Sequence, residues 1–474
     1  MSGIRAGDGR ARTVLSTALI GAAALAGTLL MAGRADAAFP TGVNGKIIYV
    51  TGIPSSNQDI WVMNADGSGK TNLTPNTPTT REYNPAFSPD GNKIVFARDD
   101  GSDGEIWVMN ANGTNPVNLT NNAADFEELP TWSPDGKKIA YTNEGVGNGD
   151  TFIMNADGSG KVDLTTDNPG DWDSQPNYSP DGMKIAFTRC GSGVPCSIYV
   201  MNSDGSGKAQ LTQPATTDDD YSPYYSPDGK QLAFTRCPTG RCDTAVVPAT
   251  GGVGSIITGA FTGDTNVHPG WSPDGKRIAI TSGTGGNSQN IWLINPDGSS
   301  PVNLTSDNNA IADTQPDWES IYTCRDQRAG IVGTLGNDTL LGTTGPDVVF
   351  AMDGFDQVDA GTGDDLVCGG DGGGTLAGAG GKDVVEGGSG ADQESGAAGK
   401  DTLIGLDGND KQTGGKGKDK LKGGKGKDKL KGSKGNDKLK GGKGKDFLNG
   451  GPGIDKCNGG PGRDVLKNCE KGKA

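Results

Sequence analysis

Hydrophobic and polar positions alternate over short stretches in the first two thirds of the chain, and polar turns that contain glycine separate these stretches. Lys93–Phe96 and Glu105–Met109 are examples, and a period of two indicates β-strands. A glycine-rich turn then leads to a last short strand ending in Asn-Leu-Thr, as at Asn72, Asn118 and Asn303. The pattern predicts small four-stranded antiparallel sheets, the units of a β-propeller.

Two sequence markers repeat with one shared period. The first, Ser-Pro-Asp-Gly, begins at Ser88, Ser133, Ser179, Ser226 and Ser272. The second, of the Met-Asn-Ala-Asp-Gly type, begins at Met63, Met109, Met154 and Met201, degenerates at Pro248 and returns at Ile294. Two markers that share a period indicate one repeated structural unit, and Ser-Pro-Asp-Gly suits a type I turn.

The repeats predict an all-β fold that begins with a six-bladed β-propeller over residues 38–320. The chain enters this region at Gly45–Tyr49, which matches the strand after a Ser-Pro-Asp-Gly turn. It leaves at Gln315–Trp318, which matches the strand before such a turn. The two ends complement each other within one blade, so their pairing would close the ring and remove open sheet edges.

The repeats resemble a known family. The pattern Pro-x-aromatic-Ser-Pro-Asp-Gly-Lys-x-Ile-Ala-aromatic, as in Pro130–Tyr141, is similar to the PD40 repeat of TolB-type propellers, and the resemblance covers residues 42–320. TolB itself is a periplasmic partner-binding protein with an additional N-terminal α/β domain, which has no counterpart in this sequence. The resemblance implies a propeller that binds a ligand, but not the partner of TolB.

Six equivalent positions, each three residues before the proline of a predicted inner strand, carry five carboxylates. They are Glu82, Glu127, Asp173, Asp220, Asn266 and Asp313. One interpretation is an acidic ring at a mouth of the axial channel that binds a cation or a basic peptide. The alternative, which we favour, is that each side chain accepts backbone N–H bonds in its own loop. The aromatic residues two positions after each proline are expected to pack between blades.

A second repeat, of nine residues, runs from Gly333 to Lys467, and its most regular position is an aspartate. The aspartates are Asp338, Asp347, Asp356, Asp365, Asp383, Asp392, Asp401, Asp410, Asp419, Asp428, Asp437, Asp446, Asp455 and Asp464. Gly374 takes the remaining position in this series. Two residues after each of these positions stands an aliphatic side chain, except at Glu394, Gln412 and Cys457.

The unit Gly-Gly-x-Gly-x-Asp-x-aliphatic-x resembles the RTX, or haemolysin-type, calcium repeat. The resemblance implies a parallel β-roll in which six residues form a turn and three form a strand, so that two units complete one coil. Ca²⁺ ions would lie between turns two nonapeptides apart, held by backbone carbonyls and aspartates, which are oxygen ligands suited to this ion. Candidate pairs are Asp338 with Asp356, Asp347 with Asp365, Asp365 with Asp383, Asp383 with Asp401 and Asp392 with Asp410.

The alternative to a β-roll is a disordered Gly/Asp linker. The registered aspartates and aliphatic residues argue against it. Stacked carboxylates repel one another, and one apolar side chain per nonapeptide stabilises little. We therefore expect calcium binding and folding of residues 333–467 to be one event.

Composition and charge add a further hypothesis. With 81 glycines, 32% hydrophobic residues and a mean hydropathy of −0.51, the chain cannot fill one large helical core. Residues 411–474 carry 19 basic and 7 acidic residues, whereas the remaining residues carry a net charge of −27. These lysines would weaken the later calcium sites by repulsion. They indicate adhesion to an anionic polymer such as a cell-wall polyanion, or a solvated face, or a tail that docks on the acidic remainder of the chain. No aromatic residues interleave with them, which argues against specific nucleic-acid recognition.

The N-terminus has the pattern of a signal peptide over residues 1–37. Arg5, Arg10 and Arg12 precede the apolar stretch Val14–Met31, and Ala35-Asp36-Ala37 is a small-x-small cleavage site. A transmembrane anchor is the alternative for this stretch. Cleavage would leave a secreted or cell-surface protein without a membrane span, divided into the propeller, a linker at 321–332, the β-roll and a tail at 468–474.

Eight cysteines fit an oxidising compartment. Cys190 with Cys196 and Cys237 with Cys242 bracket short predicted turns in equivalent positions of two repeats, which predicts two local disulfides. The spacing is wrong for paired Cys-x-x-Cys zinc ligands. The partners of Cys324, Cys368, Cys457 and Cys469 stay open, with Cys324–Cys368 and Cys457–Cys469 as one arrangement.

The sequence predicts a binding protein rather than an enzyme. It has one histidine, His268, and no Gly-x-Ser-x-Gly motif. The catalytic alternative is glycosidic chemistry by a carboxylate pair of the acidic ring, which would depend on Asp173 or Asp220. We expect Ca²⁺ as the cofactor and a protein, peptide or cell-envelope polymer as the ligand of the propeller or of the lysine-rich repeats.

Overall fold

The computed structural model describes residues 43–473 apart from 53–56, 76–79, 102, 122–124, 146–148, 167–169, 216, 239, 260, 262–264, 284–288 and 307–311. Every regular element in these ranges is a β-strand, as predicted. The predicted signal peptide lies outside the described residues. Within them, no helix is long and apolar enough to cross a membrane.

The first part of the fold consists of short antiparallel sheets. Its strands are β1 (Val43–Gly52), β2 (Gln58–Met63), β3 (Thr71–Asn72), β4 (Arg81–Phe87), β5 (Lys93–Asp99), β6 (Gly104–Asn110), β7 (Val117–Asn118), β8 (Glu127–Trp132), β9 (Lys138–Asn143), β10 (Asp150–Asn155), β11 (Val162–Asp163), β12 (Trp172–Tyr178), β13 (Lys184–Cys190), β14 (Ser197–Asn202), β15 (Ala209–Gln210), β16 (Asp219–Tyr225), β17 (Gln231–Cys237), β18 (Asp243–Pro248), β19 (Ser255–Ile256), β20 (Thr265–Trp271), β21 (Ile278–Gly283), β22 (Gln289–Ile294), β23 (Val302–Asn303) and β24 (Ala312–Ile321). Strands β8–β11, β12–β15, β16–β19 and β20–β23 form four four-stranded sheets, and the other eight strands form one larger sheet.

The larger sheet joins the two ends of this region. Strand β24 pairs antiparallel with β1, with Val50 opposite Thr314 and Val43 opposite Ile321. This is the predicted closure of a propeller. The run β24-β1-β2-β3 is connected to the run β4-β5-β6-β7 by one parallel bridge, Gln58 to Arg81.

The Ser-Pro-Asp-Gly segments form the predicted turns. At the first of them, Gly91 N–H donates to the Ser88 carbonyl at 2.8 Å. Ser88 Oγ donates to Asp90 Oδ1 at 2.6 Å, and the Lys93 N–H donates to Ser88 Oγ at 2.9 Å. Gly91 has φ of +65°, a conformation that glycine adopts without a Cβ clash. Serine and aspartate thus hold the turn that brings the next strand back.

The predicted inner strands each contain a bulge that the sequence pattern did not predict. These strands are β4, β8, β12, β16, β20 and β24. The residue before the proline of each strand has a left-handed backbone, with φ between +48° and +57°. These residues are Asn84, Leu129, Gln175, Ser222, His268 and Gln315. Pairing with the neighbouring strand shifts register at these positions. A bulge bends its strand and re-aims the side chains around it.

The second part of the fold is a parallel solenoid preceded by a hairpin. Its strands are β25 (Thr323–Cys324), β26 (Gln327–Arg328), β27 (Ile331–Val332), β28 (Thr339–Leu341), β29 (Val348–Phe350), β30 (Gln357–Asp359), β31 (Leu366–Gly370), β32 (Thr375–Ala377), β33 (Gly380–Gly381), β34 (Val384–Gly388), β35 (Gln393–Gly399), β36 (Thr402–Asp407), β37 (Lys411–Gly417), β38 (Lys420–Gly426), β39 (Lys429–Gly435), β40 (Lys438–Gly444), β41 (Phe447–Asn449), β42 (Lys456–Asn458), β43 (Val465–Lys467) and β44 (Lys471–Lys473).

Strands of the solenoid alternate between two parallel sheets, and partners within a sheet are two nonapeptides apart. Leu340 pairs with Val358 in one sheet, and Leu403 pairs with Leu421 in the other. Two nonapeptides therefore complete one coil. At the C-terminal end the offset is shorter, because Lys456 pairs with Lys471. The parallel pairing thus runs from Ile331 to Lys473.

The solenoid core is one column of side chains per sheet. Its buried members include Leu340, Val349, Val358, Val367, Leu376, Val385, Leu403, Leu421, Leu430, Leu439, Leu448 and Cys457. Glu394 and Gln412 occupy core positions in the column that contains Leu376, and both are buried. Burial raises the pKa of Glu394 well above its usual value. The core is therefore thin and partly polar.

The fold contains four disulfides, and one of them and a salt bridge connect its two parts. The predicted pairs Cys190–Cys196 and Cys237–Cys242 are present, and Cys324–Cys368 and Cys457–Cys469 complete the set. Cys324–Cys368 fixes the linker hairpin to the solenoid. Arg328 donates to Glu319 Oε1 at 2.8 Å and to the Asp90 carbonyl at 3.0 Å, which holds the hairpin against the propeller.

Candidate functional site

The nonapeptide aspartates form stacked rows along the solenoid. The N–H of Asp401 donates to Asp419 Oδ1 at 3.0 Å, and the N–H of Asp419 donates to Asp437 Oδ1 at 2.9 Å. The same bond links the five candidate pairs Asp338–Asp356, Asp347–Asp365, Asp365–Asp383, Asp383–Asp401 and Asp392–Asp410. From Asp356 onwards, one carboxylate oxygen of each nonapeptide aspartate is thus bonded to the backbone of the turn two nonapeptides earlier.

The second carboxylate oxygen has no such partner in most turns. Oδ2 is buried without a hydrogen bond in Asp365, Asp383, Asp392, Asp401, Asp410, Asp419, Asp428, Asp437, Asp446, Asp455 and Asp464. A buried carboxylate oxygen without a partner is costly. A cation bound beside these eleven atoms would compensate their charge.

Glycine and a backbone carbonyl border the space beside these oxygens. A Cβ placed on Gly414 would come within 2.6 Å of Asp419 Oδ2 and within 2.8 Å of the Gly432 carbonyl oxygen. Only glycine fits there. Carboxylate and carbonyl oxygens from turns two nonapeptides apart therefore face a common space that no side chain fills.

Burial disfavours the charged form of these aspartates. It raises the pKa of Asp356 to about 7. It raises the pKa of several others to about 6, namely Asp392, Asp401, Asp410, Asp428 and Asp437. Backbone N–H bonds oppose these shifts without cancelling them. A cation nearby would favour the charged form of these carboxylates and lower their pKa.

The donor set fits Ca²⁺. This ion takes six to eight oxygen ligands, including carboxylates and backbone carbonyls. In the described ranges, no group of three or more His, Cys, Asp or Glu side chains gathers into one cluster. With few carboxylates at any turn, backbone oxygens would have to supply the remaining ligands of a Ca²⁺ ion, which is the arrangement that the RTX resemblance implies.

The first two turns differ from the others in a way that the sequence analysis missed. Asp338 Oδ2 accepts hydrogen bonds from Thr334 N–H at 2.6 Å and Thr334 Oγ1 at 2.9 Å. Asp347 Oδ2 accepts the same two bonds from Thr343. Threonine at the second turn position, where most later repeats carry glycine, is the signal that could have revealed this. By contrast, the lysine-rich turns keep the unpartnered Oδ2, so the carboxylate geometry lends no support to ranking them below the earlier sites.

The six residues of the proposed acidic ring are buried, and side chains of the neighbouring strand engage them. Arg189 contacts both oxygens of Asp173, at 2.7 and 2.5 Å, and Arg236 contacts both oxygens of Asp220, at 2.7 and 2.8 Å. Arg98 Nε donates to Glu82 Oε1 at 2.8 Å. Burial raises the pKa of Asp173 to about 6, although Arg189 opposes the shift.

The remaining ring positions contact uncharged side chains of the neighbouring strand, and Asn266 also donates to Asp243 Oδ1 at 3.2 Å. Asn143 lies at 3.5 Å from Glu127, Ser282 donates to Asn266 at 2.7 Å, and Thr51 donates to Asp313 at 2.7 Å. A ring that binds a cation or peptide stays a prediction, and these contacts favour a structural role. The partners are side chains rather than the backbone N–H groups that the sequence analysis expected. Arg98, Arg189 and Arg236 follow their carboxylates at one constant sequence separation, which could have revealed the pairs.

A cavity of about 290 Å³ lies where the inner strands of the propeller meet. Its walls are the prolines and aromatic residues of those strands, and Tyr322, Val332, Gly333 and Met352 of the linker and first coil also line it. Tyr224 Oη donates to Asp317 Oδ1 at 2.5 Å. His268 lines the cavity with a buried Nδ1 that makes no hydrogen bond. The solenoid thus contributes to one wall of the propeller cavity.

The family model of the TolB β-propeller domain matches residues 44–258 and 171–320, together more than half of the chain. The chain belongs to the TolB β-propeller family. The model of the RTX calcium-binding nonapeptide repeat, four copies long, matches five overlapping windows between residues 332 and 466. The TolB-type propeller is therefore joined to RTX repeats, as the sequence predicted. No curated protein matches the chain significantly.

Solved structures support the propeller fold. TolB from Acinetobacter baumannii is 22% identical, with a TM-score of 0.50, over 59% of this chain and 68% of that one. Hydrazine synthase from Kuenenia stuttgartiensis is 15% identical with the same TM-score, over 59% of this chain and 47% of its own. At these identities the likeness shows the fold alone.

Replacing one RTX aspartate tests its role as a ligand. Asp419→Asn keeps an oxygen for the Asp401 N–H but removes the charge, so we expect a loss of about one bound Ca²⁺ per chain at millimolar calcium. Equilibrium dialysis measures this number. Asp359→Asn, on an exposed face of the solenoid, is the control and should leave it unchanged. Equal stoichiometry in both variants would contradict the assignment.

His268 of the TolB-type propeller is half-buried, with a buried Nδ1, and predicts a pH dependence. Burial lowers the pKa of His268 from 6.5 to about 4, so the unfolded chain binds this proton more tightly than the folded one. The free energy of unfolding should therefore fall by about 3 kcal/mol as pH drops from 6.5 to 4. His268→Asn tolerates the left-handed backbone and should lose this component in denaturant titrations at constant calcium. Identical pH profiles for both proteins would refute the prediction.

Proposed function

We propose that this protein is a secreted, non-enzymatic calcium-binding protein whose solenoid folds when its turns take up Ca²⁺, and whose propeller binds a ligand. The row of buried aspartate oxygens without hydrogen bonds carries this proposal. The aspartates from Asp365 to Asp464 would hold the ions together with backbone carbonyls of neighbouring turns. Bound Ca²⁺ would supply the positive charge that compensates these carboxylates.

Coupling of folding to calcium follows from the energetics of the solenoid. Without a cation, its turns bury carboxylates that burial alone makes less acidic. Its glycines lose much conformational entropy on folding, and its narrow core adds one side chain per nonapeptide. A site that exists only in the folded chain makes binding energy available for folding.

The propeller is the second binding element in the proposal. We count its eight-stranded sheet as two blades, which gives six blades. The six left-handed residues at equivalent positions and the pairing of β24 with β1 support this count. A propeller with a cavity among its inner strands suits the binding of a protein or smaller ligand.

The absence of catalysis is also part of the proposal. The carboxylates on which glycosidic chemistry would depend, Asp173 and Asp220, are each held by both ends of an arginine fork. Each carboxylate is buried and its arginine engages both oxygens, so neither carboxylate is well placed to contact a substrate. Four disulfides and RTX-type calcium-binding repeats suit a location outside the cytoplasm.

Circular dichroism of the full chain tests the coupling. In chelator we expect a weaker β-sheet signal, which Ca²⁺ restores with a midpoint between about 10⁻⁴ and 10⁻³ M, the range of extracellular calcium modules. Mg²⁺ at equal concentration is the control and should restore little, because it demands rigid octahedral geometry. A spectrum that is the same in chelator and in Ca²⁺ would count against the proposal.

A further inference from the structure

One sheet of the solenoid carries lysines in two adjacent columns on its outer side. Lys420 pairs with Lys438 and Lys438 with Lys456, while Lys422 pairs with Lys440. The residues between them, Leu421, Leu439 and Cys457, are buried in the core. Side chains alternate along a strand, so the flanking lysines point away from the core. We call Lys420, Lys422, Lys438, Lys440 and Lys456 the lysine face, and all five are exposed.

The geometry of the sheet brings these charges close together. Neighbouring strands lie about 4.8 Å apart, and alternate residues of one strand lie about 6.6 Å apart. Adjacent charges are thus closer than the Debye length of about 8 Å at physiological ionic strength. The five lysines therefore attract an anionic ligand through one combined electrostatic potential.

The columns are cationic only in this part of the solenoid. Towards the propeller, the first column continues with Thr402 and Val384, and the second with Ile404 and Glu386. Among the described ion pairs, the one in the lysine-rich repeats joins Lys425 to Asp407 at 2.6 Å and involves no residue of the lysine face. The aspartates of the same coils, such as Asp419 and Asp437, are buried in the turns and tied to backbone N–H groups.

We propose that the lysine face is a binding surface for a linear, phosphate-bearing polymer. Lysine is a common phosphate ligand that acts as a point charge, without the fixed bidentate geometry that arginine imposes. No arginine occurs between residues 411 and 462. A regular row of point charges along parallel strands matches a chain that carries its charges at regular intervals.

Two other polyanionic partners fit this surface less well. Binding of single-stranded nucleic acid relies on aromatic side chains that stack with the bases, and the lysine columns contain none. Attachment to a membrane surface relies on apolar side chains beside the basic ones. Phe447, an exposed aromatic residue of these repeats, belongs to the other sheet.

Fluorescence anisotropy with labelled long-chain inorganic polyphosphate tests the proposal on the full, calcium-loaded chain. The triple variant Lys420→Gln, Lys438→Gln, Lys456→Gln removes one column. Three lost phosphate contacts should weaken binding by about tenfold at about 0.1 M salt, and should lower the slope of log Kd against log salt by about 2. Circular dichroism in Ca²⁺ checks that the variant is folded.

A second triple variant provides a matched control. Lys411→Gln, Lys429→Gln and Lys431→Gln remove the same charge from the opposite sheet and should retain most of the affinity. Equal losses in both variants, or no binding of polyphosphate by the native chain, would overturn the proposal. So would tighter binding to anionic vesicles or to single-stranded DNA of equal charge. None of these results would affect the proposed coupling of calcium to folding, which circular dichroism tests separately.

Discussion

The solenoid depends on how its buried aspartates are compensated. Each nonapeptide aspartate from Asp365 onwards ties one carboxylate oxygen to a backbone N–H of the coil before it, while the other oxygen lies beside glycine and carbonyl oxygens. The first contact sets the stacking of one coil on the next. The second leaves a negative charge that the protein itself does not neutralise. A divalent cation between the turns would complete the structure, because the solenoid core is too narrow to offset such a cost.

The propeller compensates buried carboxylates with its own arginine side chains. Its buried carboxylates at Glu82, Asp173 and Asp220 have arginine partners on the adjacent strand. Its turns use serine hydroxyls to hold the aspartate of each Ser-Pro-Asp-Gly segment. The solenoid would therefore need a cation from solution, whereas these carboxylates of the propeller would not. A hairpin anchored by a disulfide connects the two domains. Calcium would order one part of the molecule and leave the other largely unchanged.

The two repeat periods predicted most of the fold. The recurring Ser-Pro-Asp-Gly marker led to the antiparallel sheets and the pairing of the two ends, and the resemblance of the nonapeptide to the RTX repeat implied coils of two nonapeptides each. Both succeed because each repeat must bury the same few positions. The pairing of Asp173 with Arg189 was missed, because it depends on a cross-strand register that a bulge at Gln175 displaces. The cavity wall formed by Tyr322 and Met352 was missed as well, since contacts between domains leave no periodic signal.

Hydrogen exchange of the backbone, followed by mass spectrometry on the full chain, examines the central claim coil by coil. With Ca²⁺, peptides from residues 365–464 should exchange slowly, because each aspartate N–H is bonded between coils. In chelator the same peptides should exchange at nearly the rate of an unfolded chain, while propeller peptides keep their protection. Solenoid peptides that stay equally protected without calcium would contradict the account.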